Sequence, residues 1–184
     1  RERIINQLKK SLDRARFRHT LGVEKTAIGL AKKYQVPLAK ASLAALLHDY
    51  SRKYNSKQLL IQAKKYRLEL DPVRCFEPKL FHAELSAILA RQDFKILDKA
   101  ILSAIAKHTT GSPKMTVLEK IIYLADHIEE GRSFFGVNHL RDLAFHDLDQ
   151  AVLESSTIMI QYLLKKKLPV YKASIETRNY YLLK

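Results

Sequence analysis

Apolar residues recur at i, i+3 and i+4 along most of this chain, and no stretch alternates cleanly between apolar and polar positions. That spacing predicts helices over 2–16, 19–34, 38–48, 56–66, 79–91, 95–107, 115–131 and 147–166, and with them an all-α helical bundle. Short polar breaks separate these segments. Pro37 suits the first turn of a helix, Ser56 can cap the next, and Thr109-Thr110-Gly111-Ser112-Pro113 is a stop before Met115. No internal repeat or low-complexity linker interrupts the pattern. One domain spanning 1–184 is expected, long enough to bury a core.

Ionisable residues break the apolar pattern in a particular way. His48-Asp49 follows Leu43-Ala44-Ala45-Leu46-Leu47, His108 closes the apolar run from Ala100 to Ala106, and Asp126 follows Ile121-Ile122-Tyr123-Leu124-Ala125. Buried ionisable groups need partners, and a shared metal centre supplies one for all three. With His19 and His82 the candidate ligands number six. Imidazole nitrogens and carboxylate oxygens suit Fe, Mn, Co or Zn, and a carboxylate such as Asp49 can bridge two ions. Adjacent residues inside a helix point about 100° apart, so His48 and Asp49 reach one ion only where the helix ends, and Tyr50-Ser51 supplies that end.

Each histidine alone would read as an ordinary hydrogen-bonded residue; the joint pattern reads as a ligand set. The pair His146-Asp147 serves as an internal control. Asp147 and Asp149 look like first-turn acids at a helix start, so this second His-Asp pair is structural. His127, His139 and His146 lack the apolar lead-in and fall outside the ligand set. His127, pointing sideways from Asp126, could orient a ligand.

Composition adds limits. Cys75 is the only cysteine, which excludes an intramolecular disulfide and a thiolate cluster, so any metal must sit on His and carboxylates. No apolar run approaches the roughly 20 residues that span a bilayer, and Arg1-Glu2-Arg3 leads into no signal-peptide core. No membrane partner and a cytoplasmic protein are expected. The formal charge of +14 favours an anionic partner, with nucleotides, polyphosphates, RNA and acidic surfaces all qualifying. Cations close to the ligands are candidate phosphate clamps: Arg18, Arg52, Lys53, Lys107 and Arg132, with Arg52 and Arg132 foremost. Arg132 is expected on the helical continuation of Asp126. Thr109 could offer a hydroxyl to substrate or cap the next helix. Arg178 with Tyr180 and Tyr181 could meet a phosphate and an adenine ring if the tail folds back, or the tyrosines could fasten the tail to the core.

The segments Arg18-His19-Thr20-Leu21-Gly22-Val23, Ala45-Leu46-Leu47-His48-Asp49-Tyr50, Lys107-His108-Thr109-Thr110-Gly111 and Leu124-Ala125-Asp126-His127-Ile128-Glu129, with Thr177-Arg178-Asn179-Tyr180 near the end, resemble the YqeK family of bacterial HD-domain phosphohydrolases. The resemblance runs from about residue 18 to 180. It implies a dinuclear centre, iron above all, that hydrolyses diadenosine tetraphosphate symmetrically to two ADP. His19, His48, Asp49 and Asp126 would hold one ion and Asp49, His82 and His108 the other. His19, His82, His108 and Asp126 would then also border the substrate, together with Arg52, Lys53, Thr109, Arg132 and Arg178. Asp49 and Arg52 would carry the catalysis, with a metal-activated hydroxide attacking phosphorus. The chain departs from the family pattern at Ala83-Glu84-Leu85, where Glu84 is expected to face solvent, and at Val170-Tyr171-Lys172-Ala173-Ser174. The alternatives are another HD hydrolase, acting on nucleoside monophosphates or guanosine alarmones, and a non-catalytic nucleotide- or RNA-binding HD module.

Overall fold

The structure, a computed structural model, describes residues 1–184. It has eleven α-helices and no strand: α1 (Glu2–Ser11), α2 (Arg14–Lys33), α3 (Leu38–Leu47), α4 (Ser56–Lys65), α5 (Pro72–Phe76), α6 (His82–Phe94), α7 (Lys99–Lys107), α8 (Val117–Ile128), α9 (Val137–His146), α10 (Leu148–Lys165) and α11 (Lys172–Leu182). Two 3₁₀ turns, Tyr50–Lys53 and Pro78–Phe81, follow α3 and precede α6. No helix is long and apolar enough to cross a membrane.

Helix α8 is the centre. It packs against α2, α3, α7, α9 and α10, and residues Ile121 to Ala125 are buried without a break. A helix with a single wet face could not bury five consecutive side chains. Helix α3 sits between α2, α7 and α8, with Ala41, Ala44 and Ala45 allowing close approach and Leu46 and Leu47 wholly buried. These helices share one hydrophobic cluster of 33 buried residues; a second, of Leu59, Ala63, Phe81 and Leu85, lies under α4.

The helix ends explain where the observed boundaries depart from the periodicity. The helix predicted over 2–16 breaks at Leu12-Asp13, because the Asp13 carboxylate accepts the Arg16 N–H at 2.8 Å and starts a new helix. Asn55, rather than Ser56, caps α4, in a capping box with Gln58. Pro37 is the residue before α3, and its carbonyl accepts from Lys40 and Ala41. Asp98 caps α7, and Thr116, not Thr109, caps α8 together with Glu119.

Helices α5, α9 and α11 were not foreseen. The first is barely a turn, the second opens after Gly136 at φ +90, and the third is held by hydroxyl contacts more than by an apolar stripe.

The end of α8 has a particular device. The helix stops at Ile128, three residues short of the expected boundary, and Glu129 is extended. Arg132 is therefore not on its continuation. Arg141 of α9 donates to the carbonyls of Ile128, Glu129 and Arg132, all at 2.9 Å, satisfying backbone acceptors that a helix C-terminus leaves open. Arg141→Ala should lower the unfolding free energy by about 2 kcal/mol, the scale of hydrogen bonds to a charged donor, as read from the urea midpoint.

Candidate metal centre

Five helices deliver the six expected ligands to one place. His48 is the C-cap of α3, still at helical dihedrals (φ −55, ψ −41), and Asp49 turns away from it (φ −104, ψ 14), which is the helix end that their adjacency requires. His82 opens α6, His108 closes α7, His19 lies on α2 and Asp126 on α8.

Three of the imidazoles are oriented by the same local contact. The Nδ1–H of His48 donates to the Ala45 carbonyl at 2.6 Å, that of His82 to the Lys79 carbonyl at 2.5 Å, and that of His108 to the Ile105 carbonyl at 2.7 Å. A carbonyl only accepts, so each Nδ1 carries a proton, and in the neutral ring it is Nε2 that presents the lone pair. His19 Nδ1 is 3.1 Å from the buried Glu129 carboxylate, which orients the fourth ring.

The Nε2 atoms converge on two carboxylates. Asp49 Oδ2 is 3.5 Å from His48 Nε2 and 3.9 Å from His19 Nε2, while its Oδ1 is 3.2 Å from His82 Nε2 and 3.8 Å from His108 Nε2. Asp126 Oδ1 is 2.9 Å from His19 Nε2 and 3.9 Å from His48 Nε2. One oxygen of Asp49 thus faces each histidine pair.

Burial would raise both aspartates, yet the surrounding imidazoles, His48 and His82 at Asp49 and His19 at Asp126, hold them well below the ordinary carboxylate value. Burial lowers His48 and pushes His108 down to about 3. Burial opposes the charging of His19, but its bonds to Asp126 and Glu129 prevail and raise it.

Ionised carboxylates and neutral rings are the donors a borderline divalent cation takes. The fit also shows in what lacks a partner. His48 Nε2 is buried without a hydrogen bond, and the Nε2 atoms of His82 and His108 face each other at 3.0 Å with only the Thr109 hydroxyl, 3.1 Å from both, as a donor. Two groupings, His19/His48/Asp126 and His48/Asp49/His108, each keep their donor atoms within 4.8 Å of one another.

The remaining expected residues divide. Arg132 reaches the site by returning to it: Nη2 donates to Asp126 Oδ1 at 2.7 Å and Nε to the Asp126 carbonyl at 2.8 Å. Arg18 lines, with Arg16, His19 and Arg132, an open cleft of about 420 Å³ beside Asp126. Arg52 is half-buried in the turn after Asp49 and makes no side-chain hydrogen bond or ion pair. Lys53 instead lies 3.8 Å over the Tyr50 ring, and Lys107 is paired with the buried Glu119 at 2.7 Å.

The only side-chain hydrogen bond of Arg178 is to its neighbour Asn179, at 3.1 Å, although the tail itself is docked. The Tyr181 hydroxyl accepts from the Met115 N–H at 3.1 Å, and the Thr177 hydroxyl shares its proton between the Ala173 carbonyl of its own helix at 2.7 Å and the Thr110 carbonyl at 3.0 Å, packed so closely on Gly111 (φ +68) that a Cβ there would fall 2.6 Å from its methyl. Glu84 does not face solvent alone. It pairs with the buried Arg74, whose guanidinium stacks 4.3 Å over Phe81 and needs a counter-charge. His127 binds Ser155 and packs on Tyr123, away from the ligands, and Asp147 caps α10, as the control pair required.

Arg16 and Glu129 were missed. Arg16 Nη1 donates to Asp49 Oδ2 at 2.7 Å. Glu129 leaves no room for a side chain at position 22, where a Cβ would lie 2.5 Å from its Oε2. For Arg16 the available signal was spacing, since it precedes His19 by three residues and shares a face of α2 with it; Glu129 lies past the end of α8, where periodicity carries no signal.

An all-helical bundle whose histidines and aspartates converge on one buried centre, with a polar cleft beside His19, defines a metal-dependent hydrolase of the His-Asp type. Residues 16–131, which include all six candidate ligands, match the HD domain family. The chain belongs to that family, in its YqeK branch. It is 40% identical over 183 residues to the symmetrical bis(5'-nucleosyl)-tetraphosphatase of Halalkalibacterium halodurans, covering 100% of this chain and 97% of that protein. It is 39% identical to the Bacillus subtilis protein of the same name, over 98% of this chain and 96% of the relative. A crystal structure from Clostridium acetobutylicum, described as an HD superfamily hydrolase involved in NAD metabolism, superposes with a TM-score of 0.95 at 37% identity, covering 99% of this chain and 96% of that one. The donor set fits the divalent-metal binding of the family.

Chelator-stripped protein should be stabilised by about 2.7 kcal/mol when Mn²⁺ is supplied at a hundredfold excess over its Kd, and Asp49→Asn should lose most of that gain in a thermal melt. The metal-free protein also has a defined pH response. Folded His108 stays neutral down to about 3, whereas in the unfolded chain it takes its proton near 6.5. Between these values the unfolded state binds more protons, so stability falls as pH drops through that window. His108→Asn should flatten the decline in urea midpoints.

Proposed function

We propose that this protein hydrolyses diadenosine tetraphosphate and related dinucleoside polyphosphates symmetrically, releasing two ADP, in a reaction that depends on two divalent ions, iron foremost and Mn, Co or Zn as substitutes. The observation that carries this reading is the carboxylate of Asp49, with one oxygen toward His19 and His48 and the other toward His82 and His108. His19, His48, Asp49 and Asp126 would hold one ion, and Asp49, His82 and His108 the other. When bound, the ions supply Lewis acidity, lowering the pKa of water and offsetting charge on the non-bridging phosphate oxygens.

The chain's own groups do the rest. The carbonyl-tied imidazoles keep their lone pairs aimed without reorganisation, as electrostatic catalysis demands. Thr109 offers its hydroxyl at the His82/His108 side, and Arg132 and Arg18 bring positive charge to the cleft that leads to Asp126. Arg52, free of protein partners, is available for phosphate. Phosphoryl transfer needs little covalent help from a protein, and positioning with charge neutralisation suffices. The names of the relatives from H. halodurans and B. subtilis support the substrate. The reading treats 1–184 as one catalytic unit in the bacterial cytoplasm, which suits a chain with a single free cysteine.

Metal-reconstituted protein should convert each diadenosine tetraphosphate into two ADP, resolved by anion-exchange chromatography, and Asp49→Ala should fall to background. Release of inorganic phosphate from nucleoside monophosphates would point to a nucleotidase. Salt-dependent RNA binding without turnover would point to a binding module.

A further inference from the structure

Arg16 is bound to an oxygen for which a metal ion would compete. Its Nη1 holds Asp49 Oδ2 at 2.7 Å, the oxygen that faces His48 and His19, while Arg132 Nη2 holds Asp126 Oδ1, the other carboxylate oxygen of the same half-site, at 2.7 Å. Two guanidinium groups thus lie on the two oxygens that a divalent cation would take. A guanidinium and a divalent cation on one carboxylate oxygen repel each other, and the cleft gives the guanidinium somewhere to go.

Arg16 differs from an ordinary buried ion pair. Its side chain is 29% exposed against 4% for Asp49, so it reaches the carboxylate from the solvent side, through the cleft it shares with Arg18 and Arg132. Its guanidinium has no second partner, whereas Arg132 is also anchored on the Asp126 carbonyl. Its backbone is fixed, with the N–H on Asp13 and the carbonyl accepting from Thr20, so only the side chain is free to turn.

We propose that Arg16 is a phosphate-binding residue released by the metal: it neutralises Asp49 in the metal-free protein, and turns into the cleft to take a non-bridging oxygen of the polyphosphate once a cation claims Asp49 Oδ2. The proposal rests on the reading of the site as a hydrolase of phosphate anhydrides. An arginine fork suits two phosphate oxygens, and the exchange couples the two ligands, because the cation frees the group that binds phosphate.

The test uses the full chain with Arg16→Gln and Arg16→Lys, both at a partly exposed position. Mn²⁺ binding is titrated calorimetrically without nucleotide, and ADP binding is titrated at saturating Mn²⁺. Arg16→Gln should bind Mn²⁺ several-fold more tightly, having lost the competing cation, and bind ADP roughly 10- to 100-fold more weakly, the loss of a charge-assisted hydrogen bond. Arg16→Lys should keep Mn²⁺ affinity near wild type and recover part of the ADP affinity. Weaker Mn²⁺ binding by Arg16→Gln would make Arg16 a brace for the ligands and overturn the proposal, as would tighter Mn²⁺ binding with unchanged ADP affinity. Both titrations read binding. If wild type fails to cleave diadenosine tetraphosphate, the proposed substrate falls while the role of Arg16 is still decided.

Discussion

Everything in this structure is arranged around one buried carboxylate. Asp49 is 3% exposed and sits at the end of a helix made almost wholly of alanine and leucine. An ionised group in such surroundings costs several kcal/mol unless it is matched, and the match here is a ring of four imidazoles, His48 beside it and one from each of three other helices, together with one guanidinium. The helices can converge because α3 and α8 bring small or well-packed residues to their shared faces. The hydrophobic core is therefore also the frame that sets the distances of the site.

That arrangement explains which features could be read from the sequence. A run such as Leu43 to Leu47 followed by His48-Asp49 states its own position: the apolar residues belong to the core, so the ionisable pair must enter it, and adjacency forces the helix to end there. The same reasoning located His108 and Asp126. Periodicity alone found the principal helices, because most of them bury one continuous apolar stripe.

What remained hidden depends on partners far away in the chain. Arg16 meets Asp49 across 33 positions and Glu129 meets His19 across 110, and neither residue breaks an apolar pattern. Arg132 was expected on a helix that continues, but Arg141 captures the carbonyls that continuation would have used, and the chain turns early. Lys53 and Lys107 show why proximity in sequence is a weak guide for cations. One finds an aromatic face and the other a buried carboxylate before either meets the site.

The docking of α11 bears on the order in which the molecule is completed. Thr110 lies next to Thr109, whose hydroxyl stands between His82 and His108, and the clasp on this loop comes from Thr177, 67 residues later, with Tyr181 holding Met115 from 66 residues beyond. During synthesis the amino-terminal parts emerge and begin to fold first. All six candidate ligands are thus translated well before the residues that fasten the loop between α7 and α8. The wall that carries Thr109 is therefore completed from the far end of the chain, and losing α11 would loosen the His82/His108 side of the centre while leaving every candidate ligand in place.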